Sequence, residues 1–383
     1  MPRKVRKTLL FLGVIVLLIV AVLVGFFLGF RYVNEQNQRL DAMSESFDRE
    51  GKSPITADTK GAVEIYIAQQ SNTDDIAEVL KEAGLIKNTF AYKLISKFNG
   101  FDGQYQYGTH YLLPDMSYDE MMLILTRQPK KISLTFYEGM TYEQMRDVMI
   151  EAGMRFSPDL MDAMVMRPSL FTDYSFVSGI EERAGREWLL QGYLWPDTYL
   201  FDINSTEQQI LRIFLNNTEA KIAEGKYYER AKQQGITLDD AITLASIVQV
   251  EGTISEMNKI ARVFINRMDE DMALEAEPTV NYLRVRDGKE AKLWMSADEL
   301  REYAGNPYNT YYFKGLPPGP INSPGVVAIE AVLWPATERT WPGAERYLFF
   351  TATGEGTTDF SFTYEEHAEK TAKYMEAYED SSD

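Results

Sequence analysis

Asn72–Gly84 reads NTDDIAEVLKEAG, and 69 positions later Thr141–Gly153 reads TYEQMRDVMIEAG. Each opens on a residue able to cap a helix, Asn72 or Thr141, with an acid or amide three positions on, Asp75 or Gln144. That spacing is a capping box. Apolar residues follow at i, i+3 and i+4: Ile76, Val79 and Leu80 in one, Met145, Val148 and Met149 in the other. This is the period of an amphipathic helix. Each segment ends at glycine, which readily adopts the left-handed conformation just beyond a helix. A β-like run precedes each, at 62–68 and 131–137. The strand–turn–capped helix unit thus occurs twice, and a third capped helix is predicted from Ser117, with Glu120 at its third position. The pattern sets the fold class as α+β. It fits either ordinary α+β packing or a small carbohydrate-binding or docking module.

Towards the amino terminus, Leu9–Phe30 is an uninterrupted run of 22 apolar or glycine residues, preceded by Arg3, Lys4, Arg6 and Lys7. As a helix it would extend about 33 Å, enough to cross a bilayer. A cleaved signal peptide would have a shorter apolar core and a small-x-small cleavage site, and neither is present. The expectation is an uncleaved anchor, with the basic tail in the cytoplasm and the rest outside. Asn34–Lys60 is polar and reads as a stalk.

Composition removes several classes of function. The 383 residues include no cysteine and two histidines, His110 and His367, and carry a net charge of −18. Disulfides, thiol nucleophiles and thiolate zinc sites are excluded, and a histidine-rich metal site is not expected. The acidic balance argues against nucleic acid as a partner.

Towards the carboxyl terminus, helices are predicted at 206–224, 237–251, 255–268 and 363–379, and a strand at 347–352. Long loops are expected from Ala276 to Gly325. Within 306–325, five prolines and three glycines define a rigid path, able either to present Tyr and Asn side chains to a sugar or simply to brace a core. Asp269, Glu270 and Asp271 read as a solvated turn. In the helix from Thr237, Leu244, Val248 and Glu251 share one face. Apolar neighbours and the negative end of the helix dipole both raise the pKa of a carboxyl there, which suits a general acid.

The segments LASIVQVEGT (244–253), KIARVFINRM (259–268), EPTVNY (277–282), NPYNTY (306–311), GLPPGPI (315–321), SPG (323–325) and FSFTYEEH (360–367), together with YLWPDTY (193–199), occur in this order. They resemble the endolytic murein transglycosylases, the MltG or YceG-like proteins. The resemblance implies a single transmembrane helix (9–30) after a short tail (1–8) and before a stalk (31–60). A LysM-like α+β module (61–130), a second small α+β segment (131–190) and a mixed α/β catalytic domain (191–379) then follow. It also implies cleavage of MurNAc–GlcNAc bonds in nascent glycan strands to give 1,6-anhydro-MurNAc ends, with no metal and no cofactor. Glu251 occupies the place of the family's acid/base glutamate. Asn266, Arg267, Glu277, Thr279, Tyr308, Asn309, Thr310, Tyr311, Pro317 and Pro318 fall at cleft positions. Arg267 there would hold a lactyl or peptide carboxylate, or pair with a structural acid. Cell-wall synthases are the implied partners and the bacterial cytoplasmic membrane the implied location.

The chain departs from the family pattern at four places. Gln249 and Gln191, both expected to support the site, stand where glutamates are usual; Glu277 replaces an aspartate and Thr358 a histidine. A lytic transglycosylase is the leading expectation. The alternatives are a glycan-binding scaffold of weakened activity and a hydrolase using Glu277 as a second carboxylate.

Overall fold

The computed structural model describes residues 59–127, 129, 131–292, 294–353 and 357–382, with scattered positions between 17 and 56. The expected tail, 1–8, and most of the expected anchor and stalk lie outside the described residues. Among the described residues no helix is long and apolar enough to cross a membrane. The chain divides into two units, 1–131 and 132–383.

In the first unit, β1 (Val63–Ile67) leads into α1 (Thr73–Glu82) and α2 (Thr89–Phe98), then β2 (Gly108–Leu112) and α3 (Tyr118–Leu125). β1 and β2 pair antiparallel, Val63 opposite Leu112 and Ile67 opposite Gly108. The capping boxes at Asn72 and Ser117 both form. α1 turns Ile76, Ala77 and Leu80 into a core that also holds Ile65, Tyr92 and Met121. α2 has no counterpart in the sequence reading. Asn88 caps it through the Ala91 amide alone, at 3.1 Å, with no reciprocal acid to mark its start.

The second unit begins with β3 (Ile132–Thr135), α4 (Tyr142–Glu151) and α5 (Pro158–Val165). After β4 (Thr198–Phe201) come four helices: α6 (Glu207–Gly225), α7 (Tyr227–Gln234), α8 (Leu238–Glu251) and α9 (Met257–Asp269). Next are α10 (Glu277–Arg286), α11 (Ala297–Glu302) and α12 (Val326–Leu333). A hairpin of β5 (Phe349–Ala352) and β6 (Thr358–Ser361) and a last helix, α13 (Tyr364–Ser382), complete it. β3 pairs antiparallel with β4, and one hydrophobic core runs from Phe136 to Leu333. The boundary drawn at residue 190 therefore falls inside a single unit. The stretch 276–325 is not the continuous loop expected, because α10 and α11 interrupt it. Pro278 reads as a breaker, yet it sits in the first turn of α10, where a missing N–H costs nothing.

α8 is the axis of this unit. It is buried on every side from Leu238 to Val248 apart from Asp240, rather than on one face. Its small residues, Ala241, Ala245 and Ser246, admit α7, α9, α10 and α12 against it. Near its amino end the Asp239 carboxylate meets the Arg186 guanidinium at 2.7 and 3.1 Å, and neither side chain is exposed to solvent. Tyr193 donates its hydroxyl to Asp239 at 2.7 Å, and Arg186 also donates to the Glu181 and Leu189 carbonyls. Removing one partner of a buried pair strands the other charge, so Asp239→Ala should cost about 3–5 kcal/mol of stability. Denaturant unfolding checks this, and a loss below about 1 kcal/mol, the scale of an exposed pair, would contradict it.

Candidate active site

At the other end of α8 the chain leaves the core. Gly252 continues in extended conformation, and a Cβ there would lie 2.2 Å from Ile260 Cδ1, so a larger residue would push the buried Ile260 side chain of α9 aside. Glu251, the last helical residue, opens onto a cavity of about 350 Å³. Glu277 from the start of α10, Arg267 from α9 and Tyr311 line it as well. Thr358 and Thr351 of the hairpin and His367 and Thr371 of α13 close the far wall.

Burial is the main cause that raises the Glu251 pKa to about 8. Glu277 adds to it and Arg267 opposes it. Burial raises Glu277 to about 7, against a lowering hydrogen bond from the Met295 backbone. The Tyr311 phenol is also held above its usual range, by burial and then by Glu277, Glu251 and Glu275. The cavity thus holds two carboxyls that keep protons near neutral pH.

Arg267 does not neutralise them because most of its donors are engaged. Nε donates to the Leu348 carbonyl at 2.6 Å, and Nη1 to the Leu274 carbonyl at 2.7 Å and to Glu275 Oε2 at 3.3 Å. Its guanidinium lies 5.0 Å from the centre of the Phe349 ring. Arg267 therefore pins the β5 approach and the 273–275 turn while facing the cavity. Glu275 in that turn has a φ of 49°, an uncommon conformation for a residue with a side chain.

The other residues picked out from the sequence surround the cavity without lining it. Asn266 Nδ2 donates to the Ala344 and Tyr347 carbonyls at 2.7 and 2.9 Å. Thr279 and Thr310 share a hydroxyl–hydroxyl bond of 2.9 Å, and the Ala276 amide donates to Thr310 Oγ1. Asn309 accepts from the Tyr311 amide at 3.1 Å and donates to the Leu300 carbonyl, so it sets the turn that delivers Tyr311. Tyr308 packs on Tyr282, with ring centres 5.1 Å apart. Pro317 and Pro318 are buried. Gln249 accepts from the Gly325 amide at 2.8 Å. Gln191 is fully engaged: Oε1 accepts from the Tyr142 amide at 3.0 Å, and Nε2 donates to the Pro320 carbonyl at 2.7 Å and to Tyr282 Oη.

Several cavity residues were not legible as site residues. In the sequence His367 and Asn281 stand out only as members of the motifs 360–367 and 277–282, and Glu275, Lys292, Trp294 and Thr371 carry no signal. His367 and Thr371 are four apart on α13 and so share a face. His367 Nδ1 and Thr371 Oγ1 are buried with no hydrogen-bond partner among the described residues. Burial, then Arg267, lowers the His367 pKa.

Two outcomes follow for this site. Folded Glu251 keeps its proton to about pH 8, whereas an unfolded glutamate releases it near 4.5. The raised group therefore favours the folded state at low pH, and that advantage disappears as pH rises through this window. Glu251→Gln should melt higher than wild type at pH 9 and like it at pH 4; equal melting at both would mean the carboxyl is well hydrated. Gln191→Glu places a carboxylate against the Pro320 carbonyl, and should cost about 1–3 kcal/mol in denaturant unfolding at neutral pH.

A profile of the YceG-like family matches residues 65–373. The endolytic murein transglycosylase of Bacillus subtilis strain 168 is 28% identical over 343 residues, 85% of this chain and 89% of that protein. The endolytic murein transglycosylase of Streptococcus pneumoniae strain D39 is 25% identical over 342 residues. That match takes in 84% of this chain but 60% of the pneumococcal protein's length. The crystal structure of a yceG-like protein from Listeria monocytogenes is similar with a TM-score of 0.52 and 28% identity, over 81% of this chain and 99% of that one.

Proposed function

The chain belongs to the YceG-like family, and from that premise we propose that it is an endolytic lytic transglycosylase of peptidoglycan. It cuts MurNAc–GlcNAc bonds within nascent glycan strands and leaves 1,6-anhydro-MurNAc ends. The observation that carries this reading is Glu251 at the end of α8, opening with Glu277, Arg267 and Tyr311 onto a cavity of ligand size, where burial raises its pKa to about 8.

Glu251 first acts as general acid. It protonates the oxygen leaving as GlcNAc O4 while the C1–O4 bond of MurNAc breaks. The resulting carboxylate then takes the proton of the MurNAc C6 hydroxyl as O6 bonds to C1. The proton balance closes without water, and Glu251 ends protonated as it began. A pKa of about 8 suits both halves, since the group is mostly protonated at neutral pH yet basic enough to recover a proton. Glu277 assists by keeping the Glu251 carboxyl from ionising early. Tyr311 and Arg267 complete the polar wall around the reacting sugar.

Around this centre, the 61–130 module is LysM-like and meets glycan, and residues 9–30 anchor the chain in the bacterial cytoplasmic membrane with the catalytic domain outside. Cell-wall synthases supply the nascent strands. One observation favours a second reading. Two carboxyls share the cavity, and Glu277 as a base for water would make the enzyme a hydrolase.

Digestion of uncrosslinked strands in ¹⁸O water, followed by mass spectrometry, separates the readings. Wild type is expected to give anhydro ends without ¹⁸O, and Glu251→Gln to slow their formation about 10²–10⁴-fold. Reducing ends carrying ¹⁸O would establish the hydrolase. Bound strands without new ends from folded wild type would leave a scaffold.

A further inference from the structure

In the first unit, α2 presents apolar side chains outwards as well as inwards. Its inner face buries Tyr92 and Ser96 and rests Ile95 on the core. Its outer face carries Phe90, Leu94 and Phe98, which stay 69%, 45% and 81% exposed. The spacing i, i+4, i+8 sets the three in one stripe along the helix. Two phenylalanines and a leucine so exposed offer on the order of 300–400 Å², a patch of the size that marks an interaction surface.

The charge around the stripe says what covers it. Residues 85–101 read LIKNTFAYKLISKFNGF, three lysines and no acid, in a chain of net charge −18. Lys97 beside Phe98 and Lys87 a turn before Phe90 are both exposed, and neither has an ion-pair partner among the described residues. Lys93 reaches Asp74 at 2.7 Å. Of the acids on neighbouring segments, Asp102 accepts the Thr73 hydroxyl and Asp119 the Asn99 amide. Phenylalanine and leucine edged by lysines suit the boundary of an anionic bilayer, with the rings among the acyl chains and the ammonium groups at the phosphates. Self-association across the stripe would instead set the same lysines against each other in an isologous contact. The tether points the same way. Between Phe30 and Val63 lie 32 residues. A chain of that length spans at most about 110 Å, and a coil of that length averages about 30 Å end to end. With residues 9–30 in the bilayer, the lipid surface stays at a high effective concentration around α2, where a weak contact suffices.

We propose that the outer face of α2 docks on the membrane that holds residues 9–30, with Phe90, Leu94 and Phe98 inserted at the lipid boundary and Lys87 and Lys97 on anionic headgroups. This rests on the reading of residues 9–30 as an anchor and extends it. The first unit is fastened at two points, so one chosen face of it meets the lipid.

The test uses the full-length chain in nanodiscs of phosphatidylcholine with about a quarter phosphatidylglycerol. The sequence has no cysteine, so Phe98→Cys supplies a sole thiol, which takes a small apolar fluorophore in place of the exposed ring. Lipids bearing a nitroxide near the head of the acyl chain should quench that fluorophore about two-fold or more, since an interfacial helix sinks roughly 5–10 Å. Phe90→Ser together with Leu94→Ser should abolish the quenching and leave the melting temperature unchanged, because both side chains are exposed. Three outcomes would overturn the docking. Unquenched, red-shifted emission would place the stripe in water. Unquenched, blue-shifted emission would mean that protein covers it. Quenching that survives the two serine changes would reflect proximity to the disc alone. A chain that does not stay with the discs would instead sink the anchor on which the proposal rests.

Discussion

The ion pair between Arg186 and Asp239 is the constraint on which the second unit depends. With both side chains out of solvent, it persists only because its hydrogen bonds are nearly saturated by Tyr193, the Glu181 amide and carbonyl and the Leu189 carbonyl. It fixes the amino end of α8, and a buried helix is a rigid spacer. Twelve residues after Asp239, about 18 Å along the axis, Glu251 leaves the core at a position set by that pair. The 315–325 loop is strapped along the same helix. Gly319 lies on the guanidinium, where a Cβ would come within 2.5 Å of Arg186 Nε. The Ile321 amide donates to Ser246 Oγ at 3.0 Å, Asn322 to the Ser246 carbonyl and the Gly325 amide to Gln249. Prolines in this loop are the residues of a strap with little conformational entropy to lose. They act on the site through α8 rather than by touching a ligand.

The opposite end of α8 is electrostatically expensive by design. A carboxyl at a helix carboxyl terminus, beside another carboxyl and partly buried, is disfavoured as an anion on three counts. Arg267 does not reverse this, because the carbonyls of Leu274 and Leu348 and the carboxylate of Glu275 already hold it. Burial therefore dominates, and Glu251 carries a proton that an exposed glutamate would have lost. The cost falls on folding stability. It is borne by a unit whose core is large and whose central helix is clamped at its far end.

Local signals were legible in the sequence and juxtapositions were not. The capping boxes read at Asn72, Ser117 and Thr141 all form, because a cap is decided within four residues. α10 was hidden by Pro278, and α12 by a run, VVAIEAVL, that is apolar but for Glu330 and has no side-chain cap at Gly325 to mark its start. Glu251 was legible as a carboxyl at the end of an apolar helix. Glu277 and Tyr311 were reached through the family resemblance rather than local pattern, and Thr358 and His367 only as members of motifs, since the four come from four further segments and converge only through tertiary packing. The pair of Arg186 with Asp239 spans 53 positions and leaves no trace in local pattern. The tightly spaced polar motifs 306–311 and 277–282 divide between the two expected roles: Glu277, Asn281 and Tyr311 line the cavity, and others brace the core. Thr279, Asn309 and Thr310 are spent on each other and on backbone, which is how two non-regular segments satisfy buried polar groups.

The amides at 191 and 249 make the same point about chemistry. Gln191 joins α4, α10 and the proline loop by accepting at one end of its amide and donating at the other, which a carboxylate cannot do without binding a proton. At Gln249 only the acceptor is used, towards Gly325. A glutamate there would make the same bond and add a negative charge two residues from Glu251. The amide keeps the strap and omits the charge, so burial and Glu277 alone hold up the Glu251 pKa. The two glutamines thus preserve the architecture around the cavity. Neither adds a charge beside Glu251, whose raised pKa rests on burial first and Glu277 second.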